Sequence, residues 1–334
     1  MYGRQGFILL PIIISKGLYE EYMPDLNVGG QAVIEGVMMR SKDRVSTAVR
    51  RASGEIVVKS EDFLSYTKRN KILGLPIIRG AVSLVEMLVI GIRTLNYSAA
   101  VAAEDIDKAE GKKDSGKMNN IVLGLTAIIA LALGIAVFFF LPLLLASLAG
   151  ASQQALSFNI VAGIIRVAMF LLYIWGISRF GEFRRVFEYH GAEHKSIFAY
   201  ESGEELTPEN ARKYARLHPR CGTSFILIVA ILAILTYSIS DTIYYIINGY
   251  PPALLTRFLI HFSLLPLVAG VSYELLKLSG KTRNKSLTRI LIQPGLWLQR
   301  ITTQEPDLSQ LEVAIYALKH SLRMETIERT EANQ

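Results

Sequence analysis

Long apolar stretches alternate with charged segments along this chain, and the apolar stretches predict its architecture. Four of them are long enough to cross a membrane as helices, because one crossing takes about 20 residues. They cover residues 121–150, 159–178, 222–247 and 257–276. The pattern predicts an α-helical polytopic membrane protein with four transmembrane helices in two hairpins.

A fifth apolar stretch, residues 75–92, carries charges that argue against a simple crossing. Arg79, Glu86 and Arg93 recur at every seventh position, which places them on one stripe of a helix. A crossing would also carry the lysines of residues 108–117 to the outside. We predict an amphipathic helix that lies on the membrane or against the bundle, with a re-entrant segment or fifth span as the alternative.

Shorter patterns predict the structure of the polar segments. Residues 45–59 alternate between apolar and polar around a turn at residues 52–54, which is typical of a β-hairpin. Together with residues 31–39, they predict a small N-terminal cytosolic β element of two to four strands. Helices are predicted over residues 183–200, over 207–217 with Thr207 as N-cap, and over 308–322.

Lysine and arginine are confined to alternate segments, and this predicts the orientation of the spans. There are 17 before residue 121, eight in residues 179–221 and nine after residue 276, but none in the loops 151–158 and 248–256. Because cytoplasmic loops retain basic residues, both termini and the central loop are expected in the cytoplasm.

The expected segments follow from this topology and are 1–26 (an N-terminal extension, with Met23 as an alternative start), 27–74 (cytosolic β element), 75–103 (amphipathic or membrane-surface helix), 104–120 (linker), 121–178 (first transmembrane hairpin), 179–221 (cytosolic loop), 222–276 (second transmembrane hairpin) and 277–334 (basic C-terminal region).

Composition supports a membrane protein and excludes several other classes. The 334 residues are 51% hydrophobic and 19% charged, with a mean hydropathy of +0.32. These values exclude a disordered chain and a freely soluble enzyme. The single cysteine, Cys221, excludes an internal disulfide and fits a reducing cytosolic face. The net charge of +7 is modest, so DNA is not expected as a partner.

The sharpest chemical signal is the run His190-Gly191-Ala192-Glu193-His194. Imidazoles at positions i and i+4 share one helical face and reach one divalent ion, and Glu193 could position or deprotonate a water molecule there. The run matches the H-x-x-E-H pattern of one class of zinc metalloproteases. His218 and Cys221 follow in the same loop. We therefore predict a divalent-metal site, with zinc expected, bound by His190, His194, His218 and Cys221.

The number of protein ligands decides what such a site would do. Four ligands would close it and make it structural, whereas three ligands and a water molecule would make it catalytic, with Glu193 as general base. Glu201 is an alternative third ligand to His218. The competing interpretation has the histidines bonded to lipid headgroups or backbone, and Cys221 as a small apolar residue at a helix start.

Charged residues also occur in and beside the predicted spans. A charge at the bilayer centre costs about 3 kcal/mol or more. Asp241 and Glu274 are therefore expected to reach an interface, and His261 to pair with Asp241, with a proton or ion path as the alternative. The basic run from Lys277 to Arg289 favours anionic membrane lipids as partners, with a ribosome or another protein as the alternative.

Several longer stretches are similar to a known family: Gly29–Arg40, Glu188–Lys195, His218–Ser224, Tyr273–Leu276, Pro294–Arg300, Glu305–Asp307 and Gln310–Ala314. Over residues 27–320 the chain resembles the YqhQ-like bacterial membrane proteins, a family of unknown function that is labelled a metal-dependent enzyme. The resemblance implies a bacterial inner-membrane location. It also points to the same histidine and glutamate residues as the spacing does.

Three functions stay open on the sequence alone. The first is a membrane-surface metal-dependent hydrolase acting on a peptide or a lipid-linked molecule. The second is a non-enzymatic scaffold or assembly factor, linked to translation, with a structural metal site. The third is a small transporter built on the ionisable residues of the spans. Substrate and oligomeric state are not determined by the sequence.

Overall fold

The computed structural model describes residues 28–111, 120–151, 154–219, 221–281 and 286–324. This part of the chain is largely helical, with one small sheet near its start. The strands are β1 (Gly29–Val33), β2 (Gly36–Arg40), β3 (Arg44–Arg50) and β4 (Ile56–Asp62). The helices are α1 (Tyr66–Arg69), α2 (Ile78–Ala109), α3 (Asn120–Ile135), a π-helical segment (Ala136–Phe140), α4 (Leu141–Leu148), α5 (Ala155–Ile177), α6 (Gly181–Glu201), α7 (Pro208–Arg212), α8 (Gly222–Asn248), α9 (Leu254–Ser263), α10 (Leu265–Lys281), α11 (Ser286–Thr302) and α12 (Leu308–Ser321).

The four strands form one antiparallel sheet in the order β1-β2-β3-β4, which confirms the predicted β element. The predicted hairpin is β3–β4, and Gly54 in its turn has a φ of 90°. The β1–β2 turn instead contains Glu35 with a φ of 51°. The Glu35 carboxylate forms an ion pair with Arg185 and accepts a hydrogen bond from Tyr189 Oη at 3.3 Å. Both partners belong to α6, so this turn is anchored to that helix.

The sheet lies between two helical layers because its strands alternate in side-chain direction. One face packs on α6 and α12, where Val37 and Met39 join Tyr189, Leu311 and Ala314 in a buried core. The other face packs on α2, where Met38 and Val45 meet Ile90. The strand β1 lies at the sheet edge and runs along α6.

Three helical segments in the described ranges are long and apolar enough to cross a membrane, and a fourth crossing would be a bent pair. The three are Ile128–Leu148, Ala155–Ile177 and Ile228–Asn248; the pair is Leu254–Ser263 and Leu265–Leu275, bent by 44°. These match the four predicted stretches, but the bend was not predicted. Pro266 explains it, because proline lacks the N–H that would continue the helical hydrogen bonds.

Helix α2, which the sequence predicts as amphipathic, packs along α10. The two backbones cross closely, since a Cβ placed on Gly80 would lie 2.9 Å from Cα of Gly270. Near this crossing Arg79 forms an ion pair with Glu274. Glu274 therefore has a cationic partner from α2, and its expected position at a membrane interface stays a prediction. Glu86 is also engaged, since it accepts the Tyr66 N–H at 2.6 Å.

Two predicted boundaries differ in the structure. Helix α2 continues to Ala109, beyond the expected linker start at residue 104, because Arg51 pairs with Glu104 and Asp105 of its last turns at 2.9 and 2.8 Å. Helix α7 has the predicted Thr207 cap but ends at Arg212 rather than at residue 217. The chain after Arg212 is not helical, because its carbonyl groups are used by side chains of α6, as described below.

Some predicted features lie outside the described residues. These are the N-terminal extension up to residue 27, residues 112–119 of the linker, residues 152 and 153 of the first external loop, and residues 282–285 of the basic run together with the side chains of Lys281 and Arg289.

A buried polar cluster joins α5, α8 and α9. Asp241 is 1% exposed and pairs with Arg257 Nε and His261 Nε2, each at 3.0 Å. Asn159 Nδ2 donates to the same carboxylate at 2.9 Å. The predicted His261–Asp241 pair is therefore confirmed, whereas the expectation that Asp241 reaches an interface is wrong. Both carboxylate oxygens are used in holding three helices together.

Candidate metal centre

Helix α6 presents His190 and His194 on one face, one turn apart, and their ring centroids are 4.5 Å from each other. Cys221 reaches the same place from the N-cap of α8, where its Sγ lies 3.4 Å from His190 Nε2. One ligand atom from each of these three residues lies within 4.8 Å of the other two. The fold thus brings together three of the four predicted ligands from segments 31 residues apart.

Backbone carbonyl groups determine which nitrogen of each imidazole is available. His190 Nδ1 lies 2.8 Å from the Thr302 carbonyl oxygen, and His194 Nδ1 lies 2.6 Å from the Arg216 carbonyl oxygen. Because a carbonyl oxygen only accepts, Nδ1 carries a proton in both rings, and Nε2 is the nitrogen left to face a metal ion. In metal sites, a hydrogen bond from the second ring nitrogen to a carbonyl oxygen fixes the orientation of a histidine ligand in this way. His194 is buried, and its side chain interacts with that of Cys221.

Burial keeps His194 in the form that a metal needs. Burial lowers the pKa of His194, so this imidazole stays neutral at physiological pH. Neutral imidazole and thiolate are the ligand forms that zinc binds. The residues present therefore fit a zinc ion.

Glu193 lies on the side of α6 that faces the sheet. Its side chain rests against Gly30 of β1, where an added Cβ would lie 3.0 Å from the Glu193 carboxyl carbon. The residue is 5% exposed, and burial raises its pKa to about 7, against the opposing effects of His190 and of the Gly30 N–H. A carboxyl group with this pKa exchanges protons near neutral pH.

His218, the fourth predicted ligand, lies beside the cluster but is engaged elsewhere. Its ring centroid is 5.6 Å from that of His194, and its Nε2 is 3.5 Å from Glu201 Oε1. Gln299 holds its backbone from both sides, accepting from its N–H at 2.7 Å and donating to its carbonyl at 2.9 Å. The structure pairs His218 with the alternative third ligand, Glu201, rather than placing either one in the three-residue group.

The segment between α11 and α12 completes the site by packing directly on α6. The Gln304 N–H donates to the Phe187 carbonyl at 2.8 Å. This approach requires a glycine at position 191, since a Cβ there would overlap the Gln304 carbonyl oxygen and lie 3.3 Å from Pro306 Cδ. The low helix propensity of Gly191 is therefore offset by a contact that places the Thr302 carbonyl against His190.

A cavity of about 880 Å³ opens onto the cluster. It lies at the end of the sheet, between β1, β2 and the helices α1, α2, α6, α8 and α10. His190, Glu193, His194, His218 and Cys221 all line it. The candidate ligands and the candidate general base therefore face one common space, which is large enough for a small-molecule substrate.

Comparison with known proteins places this site in a family. The model of the family described as "Protein of unknown function (DUF1385)" matches residues 75–324. The chain belongs to the DUF1385 family. YqhQ of Bacillus subtilis (strain 168), described as an uncharacterized protein, is 34% identical over 315 residues, which are 92% of this chain and 95% of YqhQ. The resemblance to YqhQ-like proteins is thus confirmed. No solved structure matches the chain.

The DUF1385 match covers the whole ligand cluster but not the sheet, which ends at Asp62. The residues that sequence reasoning missed are those that hold the cluster rather than form it: Gly30, Arg216, Gln299 and Thr302. Two of them fall in stretches that resemble the YqhQ-like family, namely Gly30 and Gln299. The resemblance is the only sequence signal for Gly30 and Gln299, and Arg216 and Thr302 have none, because the roles of all four depend on contacts between residues distant in sequence.

Proposed function

We propose that this chain is an integral protein of a bacterial inner (cytoplasmic) membrane, with both termini and the central loop in the cytoplasm. Three apolar helices and one bent pair support this placement, as does the confinement of basic residues to alternate segments. The metal centre would then lie at the cytoplasmic membrane surface. Reporter fusions after Gly203 and Gly249 should report inside and outside, respectively; the same side for both would contradict this topology.

We propose further that His190, His194 and Cys221 bind one zinc ion and that the protein is a metal-dependent hydrolase. The observation that carries this proposal is the convergence of three donor atoms within 4.8 Å, with both imidazoles already oriented by backbone carbonyls. A bound zinc would supply Lewis-acid chemistry, lowering the pKa of a water molecule and polarising the bond to be cleaved.

The residues of this chain would supply the proton transfers. Glu193 would accept a proton from the attacking water and return it to the leaving group as the bond breaks, so that one water molecule is consumed. Its pKa of about 7 suits this role, because a general base works best with a pKa near the operating pH. The packing of its side chain against Gly30 would hold the carboxyl group at one wall of the cavity.

The arrangement favours an enzyme over a scaffold with a structural metal. A structural zinc site usually has four protein ligands, whereas a catalytic site has three and an open position. The fourth candidate, His218, is paired with Glu201 at 3.5 Å and clamped by Gln299. The cavity beside the three-residue group gives a substrate access to the open position.

Glu193→Gln distinguishes these functions. In the hydrolase, it should keep the zinc content and abolish complementation of a deletion strain. In the scaffold, it should be nearly silent. Cys221→Ser should be damaging in both cases and lower the zinc content, because a serine hydroxyl is a much poorer zinc ligand than a thiolate. Glu188→Gln is the matched control, since Glu188 lies on the same helix and hydrogen-bonds Gln310 at 3.0 Å instead of lining the cavity. Full complementation by Glu193→Gln would end the hydrolase proposal.

A further inference from the structure

The cavity beside the candidate metal centre is strongly asymmetric in charge. Arg40, Lys42 and Lys68 line it at the end of the sheet, and Glu193 is the only carboxylate among its described lining residues. Glu193 lies on the wall formed by α6, whereas the three cations lie on β2, on the turn after β2 and on α1. A ligand in this cavity would therefore meet positive charge at one end and the donor cluster at the other.

Arg40 is the most informative of these cations. Its guanidinium group lies 4.4 Å from the centre of the Phe63 ring and donates toward the sulfur of Met87. No carboxylate of the described residues lies within ion-pair distance of it. The nearest acidic influence is Glu86, whose carboxylate already accepts hydrogen bonds from Ser65 and Tyr66.

A partly buried guanidinium group without an anionic partner is costly, and arginine is the residue best suited to bind a phosphate through two parallel hydrogen bonds. Lys68 adds a second cation, with its Nζ donating only to the Lys42 carbonyl at 3.3 Å among described partners. This combination is suited to a phosphate group.

The rest of the cavity wall leads to an apolar surface. Met87 of α2 and Tyr273 of α10 line the cavity where these two helices cross. On α2, the neighbouring apolar side chains form one exposed stripe: Leu84, Val85, Leu88, Val89 and Ile92, with exposed fractions of 41–60%. Helix α10 belongs to the bent pair that would cross the membrane, and in the proposed topology it is the half on the cytoplasmic side. Leu84 precedes Met87 by about one helical turn, so the exposed stripe begins next to the cavity wall, and its apolar side chains are suited to acyl chains.

We infer that the cavity binds the phosphate-bearing head group of a membrane lipid, with Arg40 and Lys68 holding the phosphate. This inference rests on the proposed function, since it names the substrate class of the same site. The lipid tail would lie along the apolar stripe of α2, and the head group would extend toward His190, His194 and Cys221. Free phosphate shares the head-group chemistry but lacks the tail.

Lipid binding to the purified full-length chain in a neutral detergent tests the inference. The probes are dioctanoyl phosphatidic acid, dioctanoyl phosphatidylcholine and inorganic phosphate, each titrated against intrinsic fluorescence. We expect phosphatidic acid to bind at least about tenfold more tightly than either other probe, a difference of about 1.4 kcal/mol. Equal binding of inorganic phosphate would overturn a lipid ligand, and equal binding of phosphatidylcholine would overturn recognition of the exposed phosphate.

Matched variants identify the residues responsible. Arg40→Gln and Lys68→Gln should each weaken phosphatidic acid binding about tenfold. Arg69→Gln removes the same charge from the neighbouring position, but Arg69 stacks on Tyr66 at 5.4 Å and does not line the cavity, so its affinity should stay unchanged. If Arg69→Gln weakened phosphatidic acid binding as much as the other two variants, the attraction would be a general charge effect, and specific binding by Arg40 and Lys68 would be overturned. Lys68 is exposed, so its variant keeps the test valid should Arg40→Gln fail to fold.

Zinc content separates this inference from the proposed function. The double variant His190→Ala with His194→Ala should lose zinc but still bind phosphatidic acid, because the phosphate contacts lie on the other wall. If the wild-type chain binds phosphatidic acid but takes up no zinc, the result would support a lipid as the ligand of the cavity and would end the hydrolase proposal. Zinc binding without any preference for phosphatidic acid would overturn the lipid inference alone.

Discussion

Gly191 links the backbone of α6 to the orientation of the candidate ligands, and replacing it with alanine perturbs that link directly. In the structure the chain at Gln304 passes so close to Gly191 that an added methyl group would overlap the Gln304 carbonyl oxygen. The obstacle is backbone, which cannot move aside as a flexible side chain can. The segment from Thr302 to Pro306 would have to shift away from α6.

The expected cost follows from two opposing effects. Forcing a methyl group into a packed contact costs about 1–3 kcal/mol, and a backbone obstacle favours the upper part of that range. Alanine improves helix propensity over glycine by about 0.8–1.0 kcal/mol. The net loss of unfolding free energy is therefore about 1–2 kcal/mol, or roughly a 5- to 30-fold fall in the ratio of folded to unfolded protein.

The effect on metal binding should exceed the effect on stability. Displacing the Thr302 carbonyl removes the acceptor that holds His190 Nδ1 at 2.8 Å. Loss of the hydrogen-bond partner of a metal-binding histidine typically lowers metal affinity by about 10- to 100-fold. Zinc affinity of the purified variant, measured by competition with a chelator, and its thermal unfolding in detergent give both quantities.

Gly181→Ala is the matched control, because Gly181 begins the same helix and nothing lies within 4 Å of a Cβ added there. This variant should match the wild type in zinc affinity and be equally or slightly more stable. Wild-type zinc affinity in Gly191→Ala would refute the reasoning that the α11–α12 segment orients His190.

The remaining predictions concern other parts of the molecule. His218→Ala should leave the zinc content unchanged, because His218 Nε2 faces Glu201; loss of zinc would indicate a fourth ligand. Asp241→Asn should lower the unfolding free energy by about 3–5 kcal/mol, because it leaves the charge of Arg257 buried without an anionic partner. The control Asp62→Asn, which breaks the exposed pair with Arg323, should cost about 1 kcal/mol or less, and equal effects of the two variants would contradict the buried network. Burial raises the pKa of Glu193 from 4.5 to about 7, so the protonated carboxyl group stabilises the metal-free protein at low pH, and this contribution is lost as the pH rises through 7. The thermal midpoint of the metal-free wild type should therefore fall between about pH 5 and pH 8, and Glu193→Gln should flatten this fall. An unchanged slope in the variant would contradict the raised pKa.

Side-chain pattern was sufficient to predict much of the fold. Four apolar stretches, an alternating hairpin and helical spacing correspond to four crossing candidates, to β3–β4 and to α6 and α12. The bend after α9 was missed although Pro266 signals it. The early end of α7 at Arg212 could not be seen, because it depends on Lys195 and His194 side chains that take the carbonyls of Arg212 and Arg216.

The site was predictable only in its donor residues. His190 and His194 are one helical turn apart, so their proximity follows from local geometry, and Cys221 was the only available thiol. The carbonyls of Thr302 and Arg216 were not predictable, because any residue type supplies a backbone carbonyl and only the fold determines which one arrives. The pairing of His218 with Glu201 likewise depends on Gln299, 81 residues away.

The ligand set itself is the most direct test of the central claim. The full-length chain should be purified without chelators, its zinc-to-protein ratio determined, and its zinc X-ray absorption spectrum recorded. We predict about one zinc per chain, with one sulfur at about 2.3 Å and imidazole nitrogens at about 2.0–2.1 Å. The sulfur contribution should disappear in Cys221→Ser. A chain without zinc, or a zinc bound with no sulfur ligand in the wild type, would contradict a centre formed by His190, His194 and Cys221.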